Sequence, residues 1–229
     1  MKVPFLDLSI SNISLRKKLL IRINKILRSG KILEGKEQRE FEKIFAKELG
    51  AKYAVGVSSG SSALFLALKA NGIGPGDEVI TTPFTWIITI NAITSAGAIP
   101  KFVDIDQNFN LDIKKIQSAI TKKTKAIVPV HIGGKLCEME KIYKLALKYK
   151  LKVIEDAAQA FFSAYKNKRA GTYSHASAFS FNPMKTLHAY GEAGAVITNN
   201  KKIYKILLEM RHAGTTRKKQ SFDINNCNY

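Results

Sequence analysis

Sulfur is scarce in this chain. Two cysteines, Cys137 and Cys227, among 229 residues cannot staple a fold, which excludes a disulfide framework and fits a reducing compartment. Four histidines fall at no metal-ligand spacing, so no metal centre is expected. No apolar run approaches the ~20 residues that a membrane-spanning helix needs. The opening Met1-Lys2-Val3-Pro4-Phe5-Leu6-Asp7 also lacks the apolar core of a signal peptide. A cytoplasmic protein, neither exported nor inserted, is the expectation. Internal repeats and low-complexity tracts are absent as well. Acidic residues are the remaining shortage, 18 against 37 Lys and Arg, for a formal net charge of +19. Such an excess suits nucleic acid, an anionic membrane surface or acidic small molecules. The lysines, however, are dispersed as pairs at Lys17-Lys18, Lys114-Lys115, Lys122-Lys123 and Lys201-Lys202, with no basic block or aromatic-interleaved stripe. They read as a solvated surface, and specific nucleic-acid binding is not expected.

What is present is an α/β pattern. With 45% apolar residues, the chain can fill one good-sized domain with a full core. Leu15, Leu19, Ile23, Ile26 and Leu27 recur at helical spacing before Gly30, and Phe41, Ile44, Phe45 and Leu49 repeat the pattern before Gly50. From Tyr53 onward, short apolar runs near residues 53, 79, 101, 127, 152, 178 and 196 predict seven strands. Helical patterns separate several of them, including one with Met139, Ile142, Leu145, Ala146 and Tyr149 on one face and a last one with Ile203, Ile206, Leu207 and Met210. That alternation marks a mostly parallel sheet. The stretch 215–229 is polar and reads as a loop.

Four sites carry possible chemistry. Val153-Ile154-Glu155-Asp156 is an apolar run that ends in carboxylates, followed by Ala157-Ala158-Gln159. Phe179-Ser180-Phe181-Asn182-Pro183-Met184-Lys185 is an apolar strand running through a Pro-marked turn to a lysine. A carboxylate at one strand end and a lysine after another are what pyridoxal phosphate chemistry requires. The lysine forms a Schiff base with the cofactor aldehyde, and the carboxylate keeps the pyridine nitrogen protonated. Taken singly, each has a plain alternative as a solvated surface group. Ser58-Ser59-Gly60-Ser61-Ser62 leads from a strand into a helix, which is either an ordinary Ser N-cap or a phosphate site built from free N–H groups. Trp86, the lone tryptophan, stands at a strand-to-helix junction and is either core or a flat platform. His131 reads as a hydrogen-bonded structural histidine.

The blocks Glu155-Asp156-Ala157-Ala158-Gln159 and Phe179 to Lys185 resemble the DegT/StrS-type sugar aminotransferases, as does Pro100-Lys101-Phe102-Val103-Asp104. The resemblance runs from about Pro4 to the last residue. It implies a fold-type I large domain, a three-layer α/β/α sandwich around a mostly parallel seven-stranded sheet. Residues 1–50 would be an N-terminal helical segment, 51–214 the pyridoxal phosphate-binding domain and 215–229 the polar loop, with a smaller C-terminal domain missing. Lys185 would hold the cofactor and move protons, and Asp156 would pair with the pyridinium. Gln159 would reach the ring hydroxyl and Trp86 would stack on the ring. Gly60, Ser61 and Ser180 would hold the phosphate. Lysine rather than histidine at position 185 implies transamination rather than dehydration. Asn228 matches the asparagine of a G-x-N-x-R motif that reaches the neighbouring subunit's phosphate, which implies a homodimer. Ala193 departs from the family's G-E-G-G run. The implied reaction moves an amino group from an amino acid, glutamate being the expected donor, to a nucleotide-linked keto-sugar for amino-sugar or cell-surface polysaccharide biosynthesis. The competing expectations are a catalytically impaired assembly module of the same fold and a basic nucleic-acid binder.

Overall fold

The computed structural model describes residues 3–216, 221 and 222. The chain divides into two compact units, Met1–Phe41 and Glu42–Tyr229. The first carries helix α1 (Ile13–Ser29), capped where the Asn12 side chain accepts the Leu15 N–H. It ends at Gly30, whose left-handed φ of 62° is the predicted stop. No α1 residue is buried, and of the apolar face expected there Leu19 and Ile26 are half-buried while Leu15, Ile23 and Leu27 are exposed. Helix α2 (Lys36–Leu49) continues the chain into the second unit.

The second unit runs β1 (Tyr53–Val57), α3 (Gly60–Ala70), β2 (Glu78–Thr81), α4 (Ile88–Ser95), β3 (Ile99–Phe102), α5 (Ile113–Ala119), β4 (Thr124–Ile127), α6 (Met139–Lys148) and β5 (Lys152–Asp156). A two-residue hairpin follows, β6 (Ala164–Tyr165) with β7 (Lys168–Arg169). Then come β8 (Ala176–Ser180), β9 (Gly194–Thr198), α7 (Lys201–Arg211), β10 (Thr215–Thr216) and β11 (Ser221–Phe222). All seven predicted strands form one sheet, ordered β1-β9-β8-β5-β4-β2-β3. Within the stretch read as a loop, β10 pairs antiparallel with β11.

Only β9 breaks the parallel run, lying antiparallel to both β1 and β8. The cause is local: β9 follows β8 without a crossover helix, so the chain turns back beside the strand it has just left. The remaining neighbours pair parallel, which aligns the carboxyl ends of β2, β4, β5 and β8 along one edge of the sheet.

Both faces of the sheet are covered, because successive side chains point to opposite sides. Val79, Ala126 and Ile154 pack into a cluster with Leu64 and Leu68 of α3, Ile93 of α4 and Leu207 of α7. Their sequence neighbours Ile80, Ile127 and Val153 pack on the opposite side with Ile116 of α5 and Ile142 of α6. Phe45 of α2 meets Phe179 and Phe181 edge-on, at 5.2 Å between centroids in each case. The same helix is anchored by buried Glu42, which accepts the Gly56 N–H at 2.8 Å and pairs with Arg211. The architecture is therefore the expected three-layer sandwich. Among the described residues no helix is long and apolar enough to cross a membrane.

Candidate active site

In an open parallel sheet, ligands bind beyond the carboxyl ends of the strands, where the connecting loops leave a crevice. Asp156 is the last residue of β5. Its backbone is held from three directions: its N–H donates to the Pro129 carbonyl (2.9 Å), its carbonyl accepts from the His131 N–H (3.2 Å), and the next N–H, of Ala157, donates to Ala178 (2.9 Å). The carboxylate is oriented as tightly. Oδ2 accepts the Thr89 hydroxyl at 2.7 Å, and Oδ1 accepts the Ala158 N–H at 3.2 Å. The residue is only partly covered, so lone pairs remain for a group in front of it.

Glu155, one residue earlier, points to the other side of the sheet and is completely buried. Oε2 accepts from His131 Nε2 and from the Gly171 N–H, both at 2.9 Å, and Oε1 accepts the Ser177 hydroxyl at 3.2 Å. Burial raises the carboxyl's proton affinity, but the bonds from His131 and Gly171 outweigh it and hold the pKa below the ordinary range. For His131, burial disfavours charge, while the Cys137 and Glu155 partners favour it and would lift the ring to about 10. The Cys137 N–H, however, is directed at Nδ1 (3.2 Å) and occupies its lone pair, so the geometry holds the neutral ring with its proton on Nε2. His131 is thus the structural histidine that was expected, backing the strand that carries Asp156.

A cradle opens at the start of α3. Ser59 caps the helix through its side chain, which accepts the Ser62 N–H at 3.1 Å. The N–H groups of Gly60 and Ser61 open the helix and have no partner within it. Gly60 faces Ser180 so closely that a Cβ there would lie 2.5 Å from the Ser180 Cβ. Gly194, the first residue of β9, is equally constrained: a Cβ would lie 2.4 Å from the Ser59 carbonyl oxygen. Glycine at both positions lets β8, β9 and the helix N-terminus converge. The result brings free N–H groups, two serine hydroxyls and the positive helix end together, a donor set suited to a phosphate monoester.

Lys185 lies beyond β8 on a turn. Its N–H donates to the Asn182 carbonyl (2.8 Å), and the Asn182 side chain accepts the Met184 N–H (3.0 Å) and donates to Glu192. Partly buried, Lys185 has no salt-bridge partner among the described residues.

These groups share one cleft of about 810 Å³, a size in the range of small-molecule sites. Gly60, Ser61, Trp86, Asp156, Gln159, Ser180 and Lys185 all line it, so seven of the eight residues singled out by sequence come together. The eighth, Asn228, lies outside the described residues. Trp86 is 71% exposed, which sets aside the alternative of a core tryptophan and leaves its ring available as a platform. The cleft therefore fits a planar, protonatable ring that bears a phosphate. Thr85, Thr89 and Glu192 also line it and were missed by sequence reasoning. The one available signal was the pair of threonines four apart, Thr85 and Thr89, on a predicted helix start.

The family model described as "DegT/DnrJ/EryC1/StrS aminotransferase family" matches residues 14–228. Among curated relatives, the chain is 44% identical over 217 residues to a dTDP-3-amino-3,6-dideoxy-alpha-D-galactopyranose transaminase of Aneurinibacillus thermoaerophilus, covering 94% of this chain and 60% of that protein. It is 47% identical over 188 residues to the spore coat polysaccharide biosynthesis protein SpsC of Bacillus subtilis, covering 82% and 48%. Among solved structures, DesV of S. venezuelae in complex with a ketimine intermediate superposes with a TM-score of 0.91 at 40% identity, covering 96% of this chain and 60% of that one. NtdA of Bacillus subtilis with bound cofactor PMP gives a TM-score of 0.89 at 36% identity, covering 97% and 51%. The chain spans about half to three fifths of the length of these relatives.

Proposed function

The chain belongs to the DegT/DnrJ/EryC1/StrS aminotransferase family, and from that premise we propose that it takes part in pyridoxal phosphate-dependent transfer of an amino group to a nucleotide-linked keto-sugar. The observation that carries this reading is the convergence of Lys185, Asp156, the Gly60–Ser180 cradle and Trp86 on one cleft. Relatives named as nucleotide-sugar transaminases support the substrate class. Glutamate as donor, a homodimer to which Asn228 contributes, a cytoplasmic location and a role in amino-sugar or polysaccharide biosynthesis belong to the same proposal, as does a binding domain over 51–214.

When bound, pyridoxal phosphate supplies an aldehyde that captures amines and a ring that accepts electrons from the bond being broken. The chain supplies the rest. Gly60 and Ser61 N–H groups with the Ser180 hydroxyl hold the phosphate, and the Trp86 face supports the ring. The Asp156 carboxylate holds a proton on the ring nitrogen, and Gln159 donates to the ring hydroxyl. Lys185 Nζ holds the cofactor at rest. When free, the same Nζ would serve as the base and acid that takes a proton from the donor's α-carbon and gives one back.

The test is direct. Purified protein is mixed with pyridoxal phosphate, reduced with borohydride, digested and mapped. A single pyridoxyl label on Lys185 is expected, and label concentrated on any other lysine refutes the assignment.

A further inference from the structure

Asp156 faces the cleft, yet one of its oxygens is already committed to a side chain that comes from the far side of the sheet order. Thr89 lies 67 residues away in sequence, on α4, and is 1% exposed. Its hydroxyl sits 2.7 Å from Asp156 Oδ2 and 2.7 Å from the Thr85 hydroxyl. A hydroxyl carries one proton. A carboxylate can only accept, so that proton belongs to the bond with Asp156, and the Thr85 hydroxyl must donate to Thr89. Thr85 lies in the bend ahead of α4 and Thr89 in the helix's first turn, and the bend brings the two hydroxyls together. The order of donation is therefore set by chemistry, from Thr85 to Thr89 to Asp156, and it ends on the carboxylate that the proposed reaction uses. A buried threonine with no catalytic neighbour normally bonds a backbone carbonyl in the preceding turn; Thr89 instead aims its proton across to β5.

We infer that Thr89, backed by Thr85, is a positioning residue that keeps the Asp156 carboxylate aimed into the cleft, so that it meets the N–H of a bound, protonated heteroaromatic ring and holds that proton on the ring nitrogen. The inference rests on the assignment of Asp156 made above. A donor on Oδ2 fixes rotation about the Cβ–Cγ bond, so that the remaining lone pairs face the cleft. Without it, the carboxylate turns more freely and holds the ring N–H less well. The ring then loses part of its electron-withdrawing character. Thr89 stands at the cleft wall but is 1% exposed, and its role here is exerted through Asp156.

The decisive readout is the ¹⁵N chemical shift of ring-labelled pyridoxal phosphate bound to the chain, which separates protonated from unprotonated pyridine nitrogen. The wild type is expected to show the protonated shift. Thr89→Val, which keeps the side chain's shape, should move the resonance toward the unprotonated position. Its first half-reaction with glutamate should slow about tenfold or more, the size of one hydrogen bond to a charged group, with little change in donor KM. Thr89→Ser, which restores the donor, should recover both values. Thr85→Val should shift the resonance the same way by less, and it carries the test should Thr89→Val not fold. A wild-type ¹⁵N shift in the folded valine variants overturns the inference while leaving the function proposed above intact. A wild type that binds no cofactor, or binds it with an unprotonated ring, overturns that function and this inference together.

Discussion

The two ends of the cleft are built on opposite principles. Asp156 stands on a strand in the middle of the sheet, fixed by backbone bonds to Pro129 and His131 and by the Thr89 hydroxyl, and backed by the buried His131–Glu155 pair. Lys185 stands on a connection organised by turn bonds that involve Asn182, Met184 and Glu192. The difference suits the tasks proposed for them. A group that holds one proton on a ring must keep a fixed distance, and strands of a parallel sheet supply that rigidity. A group that must leave a covalent bond and then shuttle a proton needs freedom, and a turn supplies it.

The sharpest break of this comparison is at the Lys185 end. Lys185→Ala should abolish covalent capture of the cofactor altogether while leaving the melting temperature within a few degrees of wild type, because the side chain packs in no core cluster. Retained borohydride-fixed label, or a large loss of stability, would show that the lysine has a different job.

At the rigid end, Asp156→Asn should still bind cofactor yet slow the half-reaction with glutamate by several orders of magnitude, since an amide cannot hold a full proton on the ring nitrogen. Near-normal rates would make Asp156 a structural residue only.

Glu155→Gln probes the support beneath it. Losing the charge from the bonds to His131 and the Gly171 N–H should cost about 2 kcal/mol, or roughly 4–8 °C in melting temperature for a unit of this size. The pH dependence has a defined sign. The carboxyl's pKa is lowered in the folded state, first against burial and then by the His131 bond, so its contribution is present above the unfolded value of 4.5 and lost as pH falls through the folded one. The glutamine variant should therefore lie below wild type at pH 7 and approach it in acid. Parallel stability curves across the acid range would remove Glu155 from the account.

The smallest expected effect sharpens the cradle. Gly60→Ala forces a methyl group to within 2.5 Å of the Ser180 Cβ. Displacing that serine should weaken cofactor binding about tenfold, read by titration of the cofactor's visible absorption, with a modest loss of stability. Unchanged affinity would separate Ser180 from the phosphate.

By itself the sequence determined which segments form strands and helices and which residues are chemically equipped. Runs such as Val153 to Asp156 and Phe179 to Phe181 are short, apolar and punctuated by Gly, Pro or charged residues, and such local signals suffice for strand positions. The positions of Asp156 at a strand end, of Gly60 at a helix start and of Lys185 on the turn beyond a strand were legible for the same reason. Helix α5 was not read, being seven residues with a single buried position, Ile116, too little for a periodic face. Only the tertiary structure decided what depends on distant neighbours. It set the order β1-β9-β8-β5-β4-β2-β3, the reversal of β9 and the opposite fates of adjacent Glu155 and Asp156. The meeting of Thr89 with Asp156 and the closeness of Gly194 to Ser59 belong there as well. Strand pairing joins segments that carry no mark of one another in sequence, and a side chain's role is settled by which backbone the fold brings against it.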